Sequence, residues 1–248
     1  PGNGGAFYIS EGSQLWLDED PIYNPEFWDN VAINGGAIYA ANGSDVQCRG
    51  ADFGTYDKGN WVYSGDGGAI YLSGSTLYST NCSFHHGEAD RHGGAIAAYT
   101  STLTIDADYL TCDPTAEHCS TLHDNKSDSD ANGTGDGGAI YVWDSTLDID
   151  HTTMYSNTAQ LGGAIYQFGT GSQSGLLSNS LLYKNSAAGL AGSGIRVLDG
   201  DFTLNHVTLA DNSSAPAYNY DGTGTNQAFN SIAWGNIAGG FTGTFTST

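Results

Sequence analysis

Basic residues are scarce in this chain: six Lys+Arg stand against 27 Asp+Glu in 248 residues, a net charge of -21. So acidic a surface repels phosphate backbones and anionic headgroups, which argues against nucleic acid and membrane surfaces as partners. It favours solubility and loose cation binding. With one Met and so few Lys and Arg, strong helix formers are short, whereas Thr, Tyr, Ser and Asn abound and favour strands and turns. No apolar run approaches the ~18 residues of a membrane-spanning helix, so no membrane insertion by this segment is expected. No signal peptide is recognisable, and a chain opening at Pro1 reads as a processed or excised product. Cysteine is limited to four residues. Cys112 and Cys119 bound the short loop CDPTAEHC and are expected to be bridged. Cys48 and Cys82 lie one repeat apart, and their pairing is left open. The spacing fits no zinc site, and an even count in a polar chain points to disulfides and an oxidising compartment.

What the chain has in excess is glycine, 36 residues with no triplet period. Much of it sits in a repeat. NGGAFYIS begins at Asn3, NGGAIYAA at Asn34, GDGGAIYLS at Gly65, RHGGAIAAY at Arg91, GDGGAIYVW at Gly135 and LGGAIYQF at Leu161, with a degenerate AGSGIRVL at Ala191. The paired glycines recur at steps of 31, 32, 26, 44, 25 and 30 residues. Each unit adds a second short strand (GSTLYS at 74–79, TSTLTID at 100–106, DSTLDID at 144–150). A third apolar strand ends in Asn at Asn30, Asn157, Asn185, Asn212 and Asn236; Phe84-His85-His86-Gly87 departs from it.

Three short strands per unit, none able to bury its apolar residues alone, must stack on their neighbours. The expectation is an all-β chain: one right-handed parallel β-helix over residues 1–248, three-sided, with about eight coils. The 44-residue step carries some 15 extra polar residues, read as one long loop insertion over about 111–136, on the kind of turn where solenoids place functional loops.

GGAIY at 35–39, 67–71, 137–141 and 162–166, paired with FWDN at 27–30, resembles the polymorphic outer membrane protein repeat family of chlamydiae. The likeness runs from Asn3 to Asn236 and implies a β-helical passenger at the cell surface, involved in adhesion. These motifs are core and turn residues, so they speak for architecture more than activity, and no C-terminal barrel is recognisable.

Alternation points Ile38, Ile70, Ile96, Ile140 and Ile165 inward, with Leu72 and Val142. Tyr8, Tyr39, Tyr71, Tyr141 and Tyr166 then form an outward column broken by Ala97. Cross-coil stacking is the plain reading; a stripe for a sugar ring or partner protein is the functional one. The Asn column reads as corner chemistry, amides bonding to one another and to turn backbone. Asp106 and Asp150, with Asp108 near, occupy equivalent strand positions and are the candidate carboxylate pair of a polysaccharide hydrolase; a lyase would want a cationic groove that three scattered arginines do not provide. His85, His86 and His92, beside Glu88 and Asp90, match no ligand spacing and read as a solvated turn. Asp128, Asp130 and Asp136 are candidate calcium ligands, the sole cofactor expectation, although no Glu closes an EF-hand loop.

With no persuasive catalytic set, the chain reads as a non-catalytic extracellular or cell-surface protein, structural or adhesive, whose partner is a host or surface glycan or protein, or another copy of itself. The alternative is a carbohydrate-active β-helix protein. Head-to-tail stacking into a filament is expected from Phe7 and Tyr8 at one end. At the other, Phe241 and Phe245 lie in a segment, 239–246, that alternates like one more strand.

Overall fold

A computed structural model describes residues 2–19, 24–108, 119–170 and 173–245. Among these there is no helix; thirty short strands pair in parallel throughout. The GGAI segments form the first ladder, nine rungs from Phe7–Ile9 to Phe241–Thr242, and hence eight steps from rung to rung. The STL segments form a second ladder of eight rungs, Gln14–Leu17 to Asn226–Phe229, and the segments before the Asn corner a third of seven, Asp52–Phe53 to Ile232–Trp234. The chain is therefore a parallel β-solenoid.

A fourth ladder of six rungs, from Val31–Ala32 to Ser186–Ala191, runs between the Asn corner and the next GGAI segment. Several of its strands are two residues long, too short to show a period in the sequence. The extra residues of the long step are likewise not one excursion over 111–136. Ser120–His123 and Lys126–Ser127 are regular rungs of the third and fourth ladders. The sequence STLHDN carries both a strand and an Asn corner, which returns the chain to the stack. Of the segment's remainder, the structure describes the turn 128–135; residues 109–118 lie outside the described residues.

The inward columns are as alternation requires. Ile38, Ile70, Ile96, Ile140, Ile165 and Ile195 stack in register and are fully buried, beside Leu72 and Val142. Phe27, Phe53 and Phe84 stack across the third side at 5.0 and 4.7 Å. The paired glycines set the spacing of this core. The first adopts positive φ, as at Gly137 (φ 68°), which turns the chain into the rung. The second must lack a side chain: a Cβ on Gly138 would lie 2.0 Å from the Gly163 carbonyl oxygen of the next rung.

Candidate functional site

The outward tyrosine column exists and stacks on itself. Ring centroids lie 5.1 Å apart for Tyr8–Tyr39 and Tyr39–Tyr71 and 5.4 Å for Tyr141–Tyr166, with interplanar angles of 6°, 3° and 5°. Faces are occupied by neighbouring rings; Tyr141 and Tyr166 are buried, at 4% and 6% exposure, so only the Tyr8–Tyr39–Tyr71 end of the column offers ring edges to solvent. Burial pushes the hydroxyls of Tyr71 and Tyr166 up to about 12. They stay protonated donors at any physiological pH.

The gap over Ala97 is filled from the same strand, two residues on. Tyr99 lies 5.4 Å from Tyr71 and 5.6 Å from Tyr141, and its hydroxyl donates to Asp66 Oδ2 at 2.9 Å. Asp66, 4% exposed, also accepts the His92 amide at 3.0 Å and faces Arg91 Nε at 3.6 Å. The His92 ring stacks on Tyr141 at 4.3 Å, and its Nδ1 accepts the Asp136 amide at 3.2 Å. Burial lowers the His92 pKa and pushes the Asp136 carboxyl up to about 7. Sequence reading located the break at Ala97 but not the cluster assembled around it.

The candidate calcium ligands do not converge. Asp128 Oδ1 caps its loop by accepting the Gly133 amide at 2.8 Å, and its Oδ2 accepts Gln160 Nε2 at 2.7 Å. Asp130 is turned to Asn132, at 2.8 Å, and Asp136 to His92. Of the three histidines, His92 lies apart on Tyr141, while His85 and His86 stay in contact, Nδ1 to Nδ1 at 3.1 Å. His85 joins a third-ladder stack, His85–His123–Tyr155–Tyr183, at 4.8, 4.5 and 5.0 Å, and holds Asp52 Oδ1 at 2.7 Å. Asp90 bonds Ser64 and Ser129, and Glu88 is exposed.

The Asn column is a buried amide ladder. The Nδ2 of Asn125, Asn157, Asn185 and Asn212 each donates at 3.0 Å to the Oδ1 of the next Asn up to Asn236. The same nitrogens reach back to carbonyls such as Leu122 and Met154. Asn60 and Asn125 also belong to the column, Asn125 at the end of Leu122-His123-Asp124-Asn125 and Asn60 with no apolar tetrapeptide before it, and at Gly87 the backbone amide donates to the Asn125 oxygen.

Among the described residues one group has metal-like convergence: Asp106, Asp150 and His151, with one ligand atom of each within 4.8 Å of the others. Asp150 accepts Ser178 Oγ and Asn179 Nδ2, both at 2.8 Å, and faces His151 Nδ1 at 2.9 Å. Burial alone would raise its pKa, but the Asn179, Ser178 and His151 contacts outweigh this and hold the carboxyl below its ordinary value. Asp148, two residues back on the same face, is shifted the other way by burial and by the two neighbouring carboxylates. A shallow depression of about 340 Å³ lies beside them, lined by His151, Asn179 and His206 among others.

Cys48 and Cys82 are bridged across adjacent rungs. Cys119 is disulfide-bonded too, while Cys112 lies outside the described residues. At the rung that begins with Phe241 the strand lasts only to Thr242. Gly243, at φ 115°, turns the chain, and Phe245 folds back to 5.8 Å from both Phe241 and Tyr218. Among the described residues the alternating segment is therefore a strand only over Phe241–Thr242, and Thr246 lies outside them. At the other end Phe7 and Tyr8 are exposed, at 37% and 59%.

Compared with family models, curated proteins and solved structures, the chain finds no match in any of the three.

Proposed function

We propose that this chain is a non-catalytic rod that displays its outer faces at a cell surface or in the extracellular space, as a structural or adhesive element. The supporting observation is that its polar columns are satisfied by the stack itself. The Asn amides bond rung to rung, and Tyr and His rings cover one another. Side chains so engaged hold a shape; they are not free to move protons. The Cys48–Cys82 bridge favours an oxidising compartment, and the GGAI resemblance to surface-exposed passengers points the same way. Stacking of copies through the outermost rungs is the assembly mode in this proposal, with Phe7 and Tyr8 supplying the contact. Sizing across a range of concentrations tests it: mass rising with concentration, and suppressed in Tyr8→Asp, is expected. A monomer throughout would remove the filament and leave display.

A second reading, a polysaccharide-degrading enzyme, has one observation behind it: the pKa values of Asp148 and Asp150 are displaced in opposite directions beside Asp106, as an acid and an ionised partner require. New reducing ends from a polysaccharide panel, lost in Asp150→Asn, would establish it.

A further inference from the structure

The outer face of the second ladder carries a slot used by none of these columns. Trp16, Gln47 and Tyr78 occupy consecutive rungs of one register column. Trp16 is 58% exposed and Tyr78 45%. In the tyrosine column every rung from Tyr8 to Tyr71 supplies a ring and the faces close on each other. Here the middle rung supplies Gln47 instead. The two aromatic rungs are left roughly 9–10 Å apart, and a flat ring in contact with both needs about 7–8 Å. A depression of about 100 Å³ lies at this place, lined by Trp16, Gln47 and Tyr78 together with Asp18, Arg49 and Thr80.

Its polar side is unfinished. Thr80 is 7% exposed, and its buried hydroxyl has no hydrogen-bond partner. Buried hydroxyls are nearly always paired, so this one marks a position where a ligand atom belongs. Arg49, directly beneath Thr80 in register, is exposed and makes no ion pair among the described residues, in a chain with 27 acidic side chains. Asp18 adds an acceptor, and Gln47 both a donor and an acceptor. Aromatic walls around a mixed set of donors and acceptors match a ring with two weakly polar faces and a rim of hydroxyls, each able to donate and accept. A net charge of -21 argues against an anionic occupant.

We propose that Trp16 and Tyr78 clamp one neutral pyranose ring over Gln47, with Asp18, Arg49 and Thr80 bonding its hydroxyls. The inference does not rest on the surface-rod reading, since its argument uses only this face. It is tested by titrating the full chain with the methyl glycosides of glucose, galactose and mannose and with methyl glucuronide, followed by tryptophan fluorescence and ligand-observed NMR. Saturable binding of at least one neutral glycoside is expected, weakened about tenfold or more by Trp16→Ala and by Tyr78→Ala and to a smaller extent by Thr80→Val. Both aromatics are exposed, so melting temperatures of their variants should match the parent and separate lost binding from lost folding. No saturable binding by any neutral glycoside, or binding that survives both aromatic variants, would overturn the proposal. Preference for the glucuronide, abolished by Arg49→Ala, would overturn the assignment of a neutral ring.

Discussion

Asp136 and His92 face one another without forming an ion pair. His92 Nδ1 accepts the Asp136 amide proton, so that nitrogen carries no hydrogen, and the carboxylate at 3.9 Å is a neighbour and not a salt-bridge partner. Burial lowers the His92 pKa, and burial, reinforced by Asp128, raises that of Asp136 to about 7 from an ordinary 3.8. Between those two values Asp136 holds a proton in the folded state that it has released in the unfolded chain, so its own contribution to stability falls as pH rises from about 4 to about 7, whereas the lowered His92 contributes in the opposite direction below its ordinary 6.5. The expectation is that Asp136→Asn flattens this slope and makes the protein relatively more stable at pH 7 than at pH 4, as read by chemical denaturation across that range. An unchanged slope would mean that Asp136 does not titrate there. The same residue shows why the calcium reading was legible only as a list of acids. Asp128, Asp130 and Asp136 are close in sequence, but a turn held by Asp128 and the start of a new rung at Asp136 send them to different partners. Tyr99 was equally hidden, because the ring that fills the gap over Ala97 comes from two positions along the strand and not from the repeat position.

Each ladder depends on a side chain, or the lack of one, at every rung. Asn157 takes both the backbone and the side-chain amide of Asn125 and donates to the Leu122 carbonyl, at 0% exposure. Asn157→Ala leaves these groups unpaired in the interior, and a loss of about 2–4 kcal/mol is expected, visible as a lower urea midpoint with unchanged slope. The glycines separate two effects. Gly138→Ala puts a Cβ 2.0 Å from the Gly163 carbonyl oxygen, so the rung must move and the variant is expected to fold poorly. Gly43 has φ 76° but nothing within 4 Å, so Gly43→Ala should cost only about 1–2 kcal/mol of backbone strain. Similar losses from the two substitutions would contradict close rung packing. The first three ladders were readable because GGAI, STL and the Asn corner recur with fixed spacing. The fourth was not: two residues such as Glu88 and Ala89 have no alternation to detect. Five of the seven Asn in the column were visible; Asn60 was missed because no apolar tetrapeptide precedes it, and Asn125 because His123 and Asp124 mask the form of Leu122-His123-Asp124-Asn125.

At the scale of the whole molecule, stability comes from repetition reinforced by disulfides, of which the Cys48–Cys82 bridge has both ends among the described residues. The Cys48–Cys82 bridge spans 34 residues, and chain-entropy arguments give such a loop about 3–4 kcal/mol. Cys48→Ala with Cys82→Ala should lower the unfolding midpoint while leaving the ladders intact, a difference that reduction of the native protein should reproduce at least in part. The solenoid and its inward faces were legible in the sequence. The function was less so, because a stack that satisfies its own polar columns leaves few residues whose chemistry must be explained by a ligand. The exceptions are the slot around Gln47 and the Asp106–Asp150–His151 group, and they point to different roles. The most direct test of the display reading is to incubate the intact protein with a panel of extracellular polysaccharides and follow retention and chain length together. The account predicts saturable retention with polymers unshortened, for the parent and for Asp150→Asn alike. Shortened chains with new reducing ends, absent in Asp150→Asn, would contradict it.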